Sequence, residues 1–295
     1  MIHTLSFPEL LTYGLLTCAV AALWFTPRTN RALRPAAWNI LFLASLACGL
    51  AFRQVSVIAL PAILVFGAAC YGVESTRLPR VVRMLAAIAV IGFSFALMLH
   101  VVPGFGGTKL IDSVRLSRDT LPYSKWLNFD KVIIGLFILA SGHRLLDGRG
   151  EWLRMTTTAG PFLPLIFLVV FPLGYVLGYV HFDAKWPVIL GAWMWTNLFF
   201  TCIAEEALCR GFIQRHLEGL FSNLARGKLL ALCLASAIFG AMHAAGGVRY
   251  VVLAAVSGFG YGFVYQRTGR IEAAVLTHFL LNLTHILLFS YPALA

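Results

Sequence analysis

Charge is what this chain has least of. Only 12% of its 295 residues are Asp, Glu, Lys or Arg, and 60% are apolar; a soluble domain carries about 25% charged and about 45–50% apolar residues. The shortage excludes an ordinary soluble globule, a disordered chain and a nucleic-acid-binding domain. Negative charge is the scarcer sign, with 12 Asp+Glu against 23 Lys+Arg. Other features are missing too. No CxxC pair is present, so the cysteines are not read as a redox or zinc-knuckle motif. No HExxH is present, which removes the common helical zinc-protease signature. There is no basic stretch before the first apolar run, so that run reads as a retained span and not a cleaved leader. Neither a low-complexity tract nor a convincing internal repeat is visible.

What is there is length of apolar sequence. The mean hydropathy is +0.83, and runs near the length needed to cross a bilayer follow one another. They occupy 8–26, 36–52, 55–73, 82–102, 131–145, 161–181, 187–209, 229–245, 250–265 and 273–290. The expected fold is therefore all-α: a polytopic transmembrane helical bundle of about ten spans, eight at the fewest. Cys18, Cys48, Cys70, Cys202, Cys209 and Cys233 lie in or beside these runs and read as buried small hydrophobes.

Loop charge gives an independent check. Arg28, Arg31 and Arg34 follow the first run; Arg77, Arg80 and Arg83 the third; Arg144, Arg149 and Arg154 the fifth; Arg215, Arg226 and Lys228 the seventh; Arg267 and Arg270 the ninth. The alternate connections carry Arg53, a mixed segment 103–130, the Asp183/Lys185 pair and Arg249. This alternation fits ten spans with both termini outside and the arginine-rich loops in the cytoplasm of a plasma (inner) membrane. Segment 103–130 is expected on the outer face as a surface helix. It divides the chain into residues 1–130, whose role the sequence does not reveal, and a core, 131–295.

Ionisable groups inside a span cost about 2.5–3.5 kcal/mol each on insertion scales. Most spans avoid them; the C-terminal third does not. In Glu205-Glu206-Ala-Leu-Cys-Arg210, Glu206 and Arg210 stand four apart on a helix and can pair. Glu205 points about 100° away and is expected to lack a cation. Burial beside a like charge would then move its ionisation toward the range of a general acid–base group. A second polar site is His243, closing Phe239-Gly-Ala-Met-His243, and a third is the helical stripe His278, Asn282, His285. Taken singly, each has a bland reading: a wet helix end, a hydrogen-bonded core histidine, polar glue between helices. His100 has a setting like that of His243 and is assigned no role. Together they supply a carboxylate, imidazoles and an amide on neighbouring spans, which is what hydrolysis of an amide by water requires.

The three patterns, Glu205-Glu206-x-x-x-Arg210, Phe239-x-x-x-His243 and His278-x-x-x-Asn282, resemble the signature of the CPBP intramembrane proteases, the type II CAAX prenyl endopeptidase-like (Abi-related) family. The run from Tyr265 to Ala274 is also typical. The resemblance covers about 185–290. It implies an intramembrane endopeptidase acting on membrane-associated proteins or peptides, with Glu205 activating water, His243 assisting, and His278 and Asn282 holding the oxyanion. Glu206, Arg210 and Phe239 would support them. Some of the family have been called metalloproteases, so the metal question stays open: a zinc ion, if present, would take Glu205, His243 and His278 as ligands. Implied partners are the substrate and the lipid bilayer, with no nucleic acid. Two other classes stay in view. Intramembrane Glu, Arg and His also mark a proton- or ion-coupled transporter, and a non-catalytic membrane scaffold or immunity protein can keep the same fold. One difficulty is depth. Counting ~1.5 Å per residue, Glu205 and His278 come out roughly 10 Å, and His243 roughly 20 Å, from the cytoplasmic boundary, so straight helices would not bring them together. A break at Gly246-Gly247 is one way out.

Overall fold

The computed structural model of the chain describes residues 1–25 and 34–295; Arg28 and Arg31 lie outside these. The chain is an all-α membrane bundle, and every apolar run coincides with helix. In order these are α1 (Phe7–Phe25), α2 (Arg34–Ala51), α3 (Leu60–Glu74), α4 (Arg80–Met98), α5 (Phe129–Gly142), α6 (Gly148–Ala159) and α7 (Phe162–Val176). A segmented helix over 190–220 follows, then α11 (Gly227–Ala241), α12 (Gly247–Thr268) and α13 (Ile271–Leu288). The segmented helix consists of α8 (Leu190–Asn197), α9 (Ile203–Glu206) and α10 (Arg215–Leu220), joined by π-helical turns at Leu198–Cys202 and Ala207–Gln214. Among the described residues five helices are long and apolar enough to cross a membrane, six if α6 and α7, bent by 47° at their junction, count as one span. The remaining apolar runs are shorter or are interrupted by π turns, so length alone gives fewer crossings than the apolar runs do.

Segment 103–130 is not a surface helix. It is a hairpin, β1 (Gly107–Val114) antiparallel to β2 (Tyr123–Asn128), with two register shifts. The hairpin gathers one end of the bundle. Ile2 bridges Ile111, Val55 bridges Phe105 and Thr120 bridges Leu294. Beside it Phe182 bridges Phe289, and the Tyr179 and Tyr250 rings stack at 5.5 Å. The arginine-rich connections meet at the other end. There Arg215 pairs with Glu74 and donates to the Gly142 carbonyl. Glu272 accepts from Trp24 Nε1 at 2.9 Å and from the Leu146 N–H at 2.6 Å. The two ends are sorted as the charge alternation anticipates.

Helix α5 is the axis of the bundle. Nearly every residue from Phe129 to Leu139 is buried, as a helix apolar all round should be. It packs on α1, α3, α4 and α9. Of the cysteines, Cys70, Cys202 and Cys209 are buried while Cys18 and Cys233 are exposed. The expectation of burial fails there because a small apolar side chain sits equally well on the outer surface of a membrane helix.

Candidate active site

Glu205 and Glu206 fall at the one α-helical turn between the two π turns. A π turn inserts an extra residue and re-aims the side chains around it, a device common at functional sites. Here it points the two carboxylates to different neighbours. Glu206 is fully buried and faces Arg210 Nε at 3.1 Å and His278 Nδ1 at 2.8 Å. Arg210, also fully buried, donates through Nη2 to the Gly258 carbonyl at 2.6 Å and lies 4.5 Å from the Phe239 ring centre. A Cβ at Gly258 would sit 2.9 Å from that Nη2 and 2.9 Å from the Phe239 ring, so α12 needs a glycine here to let the guanidinium in. The His278 ring stacks on Tyr261 at 4.6 Å and meets the edge of Phe239 at 5.8 Å. His278 is thus held on both faces and at one nitrogen.

Glu205 is not the unpaired acid expected. Lys131, in the first turn of α5, places Nζ 2.8 Å from Glu205 Oε1. No local pattern announces this contact, because the two residues are 74 positions apart. The other oxygen, Oε2, is buried and has no hydrogen-bond partner. It faces His243 Nε2 at 3.9 Å. His243 Nδ1 lies 2.7 Å from the Phe239 carbonyl; a carbonyl only accepts, so Nδ1 carries a proton and Nε2 is the nitrogen turned toward Glu205.

Both pairs border one cavity of about 400 Å³. Glu205, His243, His278 and Asn282 all line it, with Phe239, His285, Asn197, Thr201, Lys125 and Tyr250 among the others. The depth difficulty between Glu205 and His243 disappears. The seventh run continues as helix to Leu220, so Glu205 lies 15 residues from that end, roughly 22 Å. His243 lies 16 residues beyond Gly227, a similar depth. The chain then breaks, as Ala244–Gly246 forms a 3-10 turn and Gly247 takes φ +83°, a conformation that favours glycine.

Asn282 donates to Asn197 Oδ1 at 3.4 Å. Asn197 was not singled out in the sequence, although Thr196-Asn197 is a polar interruption of an apolar run. His285 is held by the Ser290 carbonyl at 3.1 Å. His100, assigned no role from the sequence, has two partners: Nδ1 meets Asp130 at 2.7 Å and Nε2 accepts from Asn128 at 3.0 Å. Lys125, in β2 outside the spans, donates to Thr201 Oγ1 at 2.7 Å. Burial pushes its ammonium down to about 8; the Lys131 charge adds to this and Glu205 opposes it.

The donor set also bears on zinc. Among the described residues no three His, Cys, Asp or Glu side chains are grouped so as to hold a metal ion. His278 Nδ1 is committed to Glu206 and His243 Nδ1 to a carbonyl. Glu205, His243 and His278 are thus not preformed as a three-ligand group among the described residues, and those two bonds occupy Nδ1 and not Nε2 of each histidine.

A membrane bundle enclosing a polar cavity, with an acid and imidazoles facing each other inside it, defines the class: an intramembrane protein with a hydrolase-like centre. Residues 186–284 match the family described as type II CAAX prenyl endopeptidase Rce1-like. No curated protein and no solved structure matches the chain. The matched segment is about a third of the chain and contains all three motifs. Over that segment the chain is similar to the CPBP family, and the match supports the general class of a CAAX-protease-type intramembrane endopeptidase.

Proposed function

We propose that the protein hydrolyses a peptide bond of a membrane-associated protein or peptide, using water activated by Glu205 without a metal. The observation that carries this reading is the free oxygen of Glu205, buried and without a hydrogen-bond partner, opposite Nε2 of His243. A gap of 3.9 Å is wider than a hydrogen bond and leaves both atoms open to a water at the edge of the cavity. Glu205 takes a proton from that water as its oxygen attacks the scissile carbonyl carbon. His243 accepts from the same water and fixes its direction. The oxyanion that forms is held by donors on His278 and Asn282. Glu205 returns the proton to the amide nitrogen as the C–N bond breaks, which leaves a carboxylic acid and an amine and consumes one water.

The surrounding groups fit these roles. Lys131 compensates the Glu205 charge on the oxygen that faces away from the water. Glu206 orients His278, and Arg210 keeps Glu206 neutralised within the helix bundle. Removing a general base typically costs about 10²–10⁴-fold. Against a library of membrane-inserted peptides, wild type is expected to cleave and Glu205→Gln to lose at least ~10²-fold while keeping its helical circular dichroism. Equal rates would dismiss Glu205 as the base, and an inactive wild type showing proton-coupled flux would favour a transporter.

A further inference from the structure

We propose that the active-site cavity opens to the non-cytoplasmic side of the membrane, so that the peptide it receives is one exposed at that face. The word peptide rests on the proposed function; the sidedness does not. The upper wall of the cavity is built from the hairpin end of the bundle. Tyr123, Ser124 and Lys125 of β2, Tyr179 before α8, Tyr250 at the start of α12, and Tyr291 all line it. Four tyrosines at one level are what an interfacial position favours. They also touch in pairs, Tyr123 on Tyr291 at 5.2 Å and Tyr179 on Tyr250 at 5.5 Å. Trp126 and Trp186, 45% and 80% exposed, flank them at the same end.

The opposite direction is closed. Below the two glutamates lie Leu208, Cys209, Arg210 and Gln214, all 0% exposed. Gln214 is sealed against α12 by its bond to the Gly262 carbonyl at 3.1 Å, and a Cβ at Gly262 would come within 2.5 Å of its Oε1. Nothing the size of a peptide passes there without parting α9, α11 and α12.

Charge then orients the bundle. The short connections at the mouth end carry a single Lys or Arg each, Arg53, Lys185 and Arg249, and the hairpin segment 103–130 carries four, Lys109, Arg115, Arg118 and Lys125, seven in all against fourteen at the sealed end. Each connection at the sealed end carries two or three. The rule that retains Lys and Arg on the cytoplasmic side puts the sealed end in the cytoplasm and the mouth outside. The substrate is therefore an extracytoplasmic segment lying at or just under the interface.

The test uses the full chain in cell membranes. A cysteine is placed at the mouth by Ser124→Cys, with Leu121→Cys in the hairpin turn as a second reporter and Ser222→Cys at the sealed end as the contrast. The parent chain measures the background from Cys18 and Cys233. A membrane-impermeant maleimide is expected to label the first two in intact cells or spheroplasts, and Ser222→Cys only after permeabilisation. Labelling in the reverse order, or of neither mouth position, would overturn the proposal. In sealed vesicles of known orientation, wild type is expected to cleave an added amphipathic peptide only when the mouth end faces outward. Cleavage only from the cytoplasmic side overturns the sidedness. No cleavage in either orientation, with the labelling as expected, counts against the proposed function and leaves the topology standing.

Discussion

The matched segment, residues 186–284, and the helices that precede it treat charge in opposite ways. In α1, α3 and α4 the charged residues stand in a first or last turn: Glu9, Glu74, Arg80 and Arg83. In the matched segment Glu205, Glu206, Arg210 and His278 are buried in the middle of helices. Charge at a helix end is wet and inexpensive; charge in mid-span persists only with a partner. Glu206 finds its partners within the segment, in Arg210 and His278. Glu205 does not, since its cation is Lys131, on a helix outside the segment. The family segment is therefore not electrostatically complete alone. Residues 131–295 are better proposed as the catalytic unit, with β2 of the preceding part contributing Lys125 to the cavity wall.

That contrast breaks most visibly at Arg210. Arg210→Met leaves Glu206 buried without its guanidinium, and stranding one partner of a buried pair costs about 3–5 kcal/mol. Thermal unfolding in detergent is expected to fall well below that of the parent; an unchanged midpoint would mean that the buried charges do not depend on each other. Lys131→Met comes next. It removes the cation that pairs with Glu205 from outside the segment and is expected to lower kcat/KM on the order of 10²-fold, with Lys131→Arg recovering most of the rate. If Lys131→Met cleaves like wild type, the segment is complete after all. The smallest effect belongs to Lys125. Its ammonium is charged below about 8 and loses its proton as pH rises through that value. Peptides with an acidic residue beside the scissile bond are expected to lose rate relative to neutral peptides above that pH, and Lys125→Met to flatten the difference. A pH ratio identical in the two proteins would remove Lys125 from substrate contact.

Much of this was legible from spacing and composition. The helices, the alternation of loop charge and the Glu206–Arg210 pair follow from periodicity and from the cost of charge in hydrocarbon. What was not legible depends on contacts between distant positions. Lys131 looked like the boundary of a span, and its role appears only when α5 packs against α9. The depth mismatch between Glu205 and His243 came from ending the seventh run at Cys209, where Arg210 interrupts the apolar pattern; a buried arginine with an ion pair and a carbonyl acceptor does not end a helix. Segment 103–130 was read as helix because its mixed charge conceals the two short strands, whose pairing with the termini fixes them. Asn197 was hidden by its aromatic neighbours, although an amide in an apolar run is itself a signal.

The central claim is that Glu205 and His243 act on one water as a unit, and a double-mutant cycle tests it most directly. Groups that act together are strongly non-additive. Cleavage rates of Glu205→Gln, His243→Ala and the double variant, each normalised to folded protein, are expected to show that the second substitution costs almost nothing once the first is made. Losses that multiply in the double variant would contradict a shared water and separate the two residues.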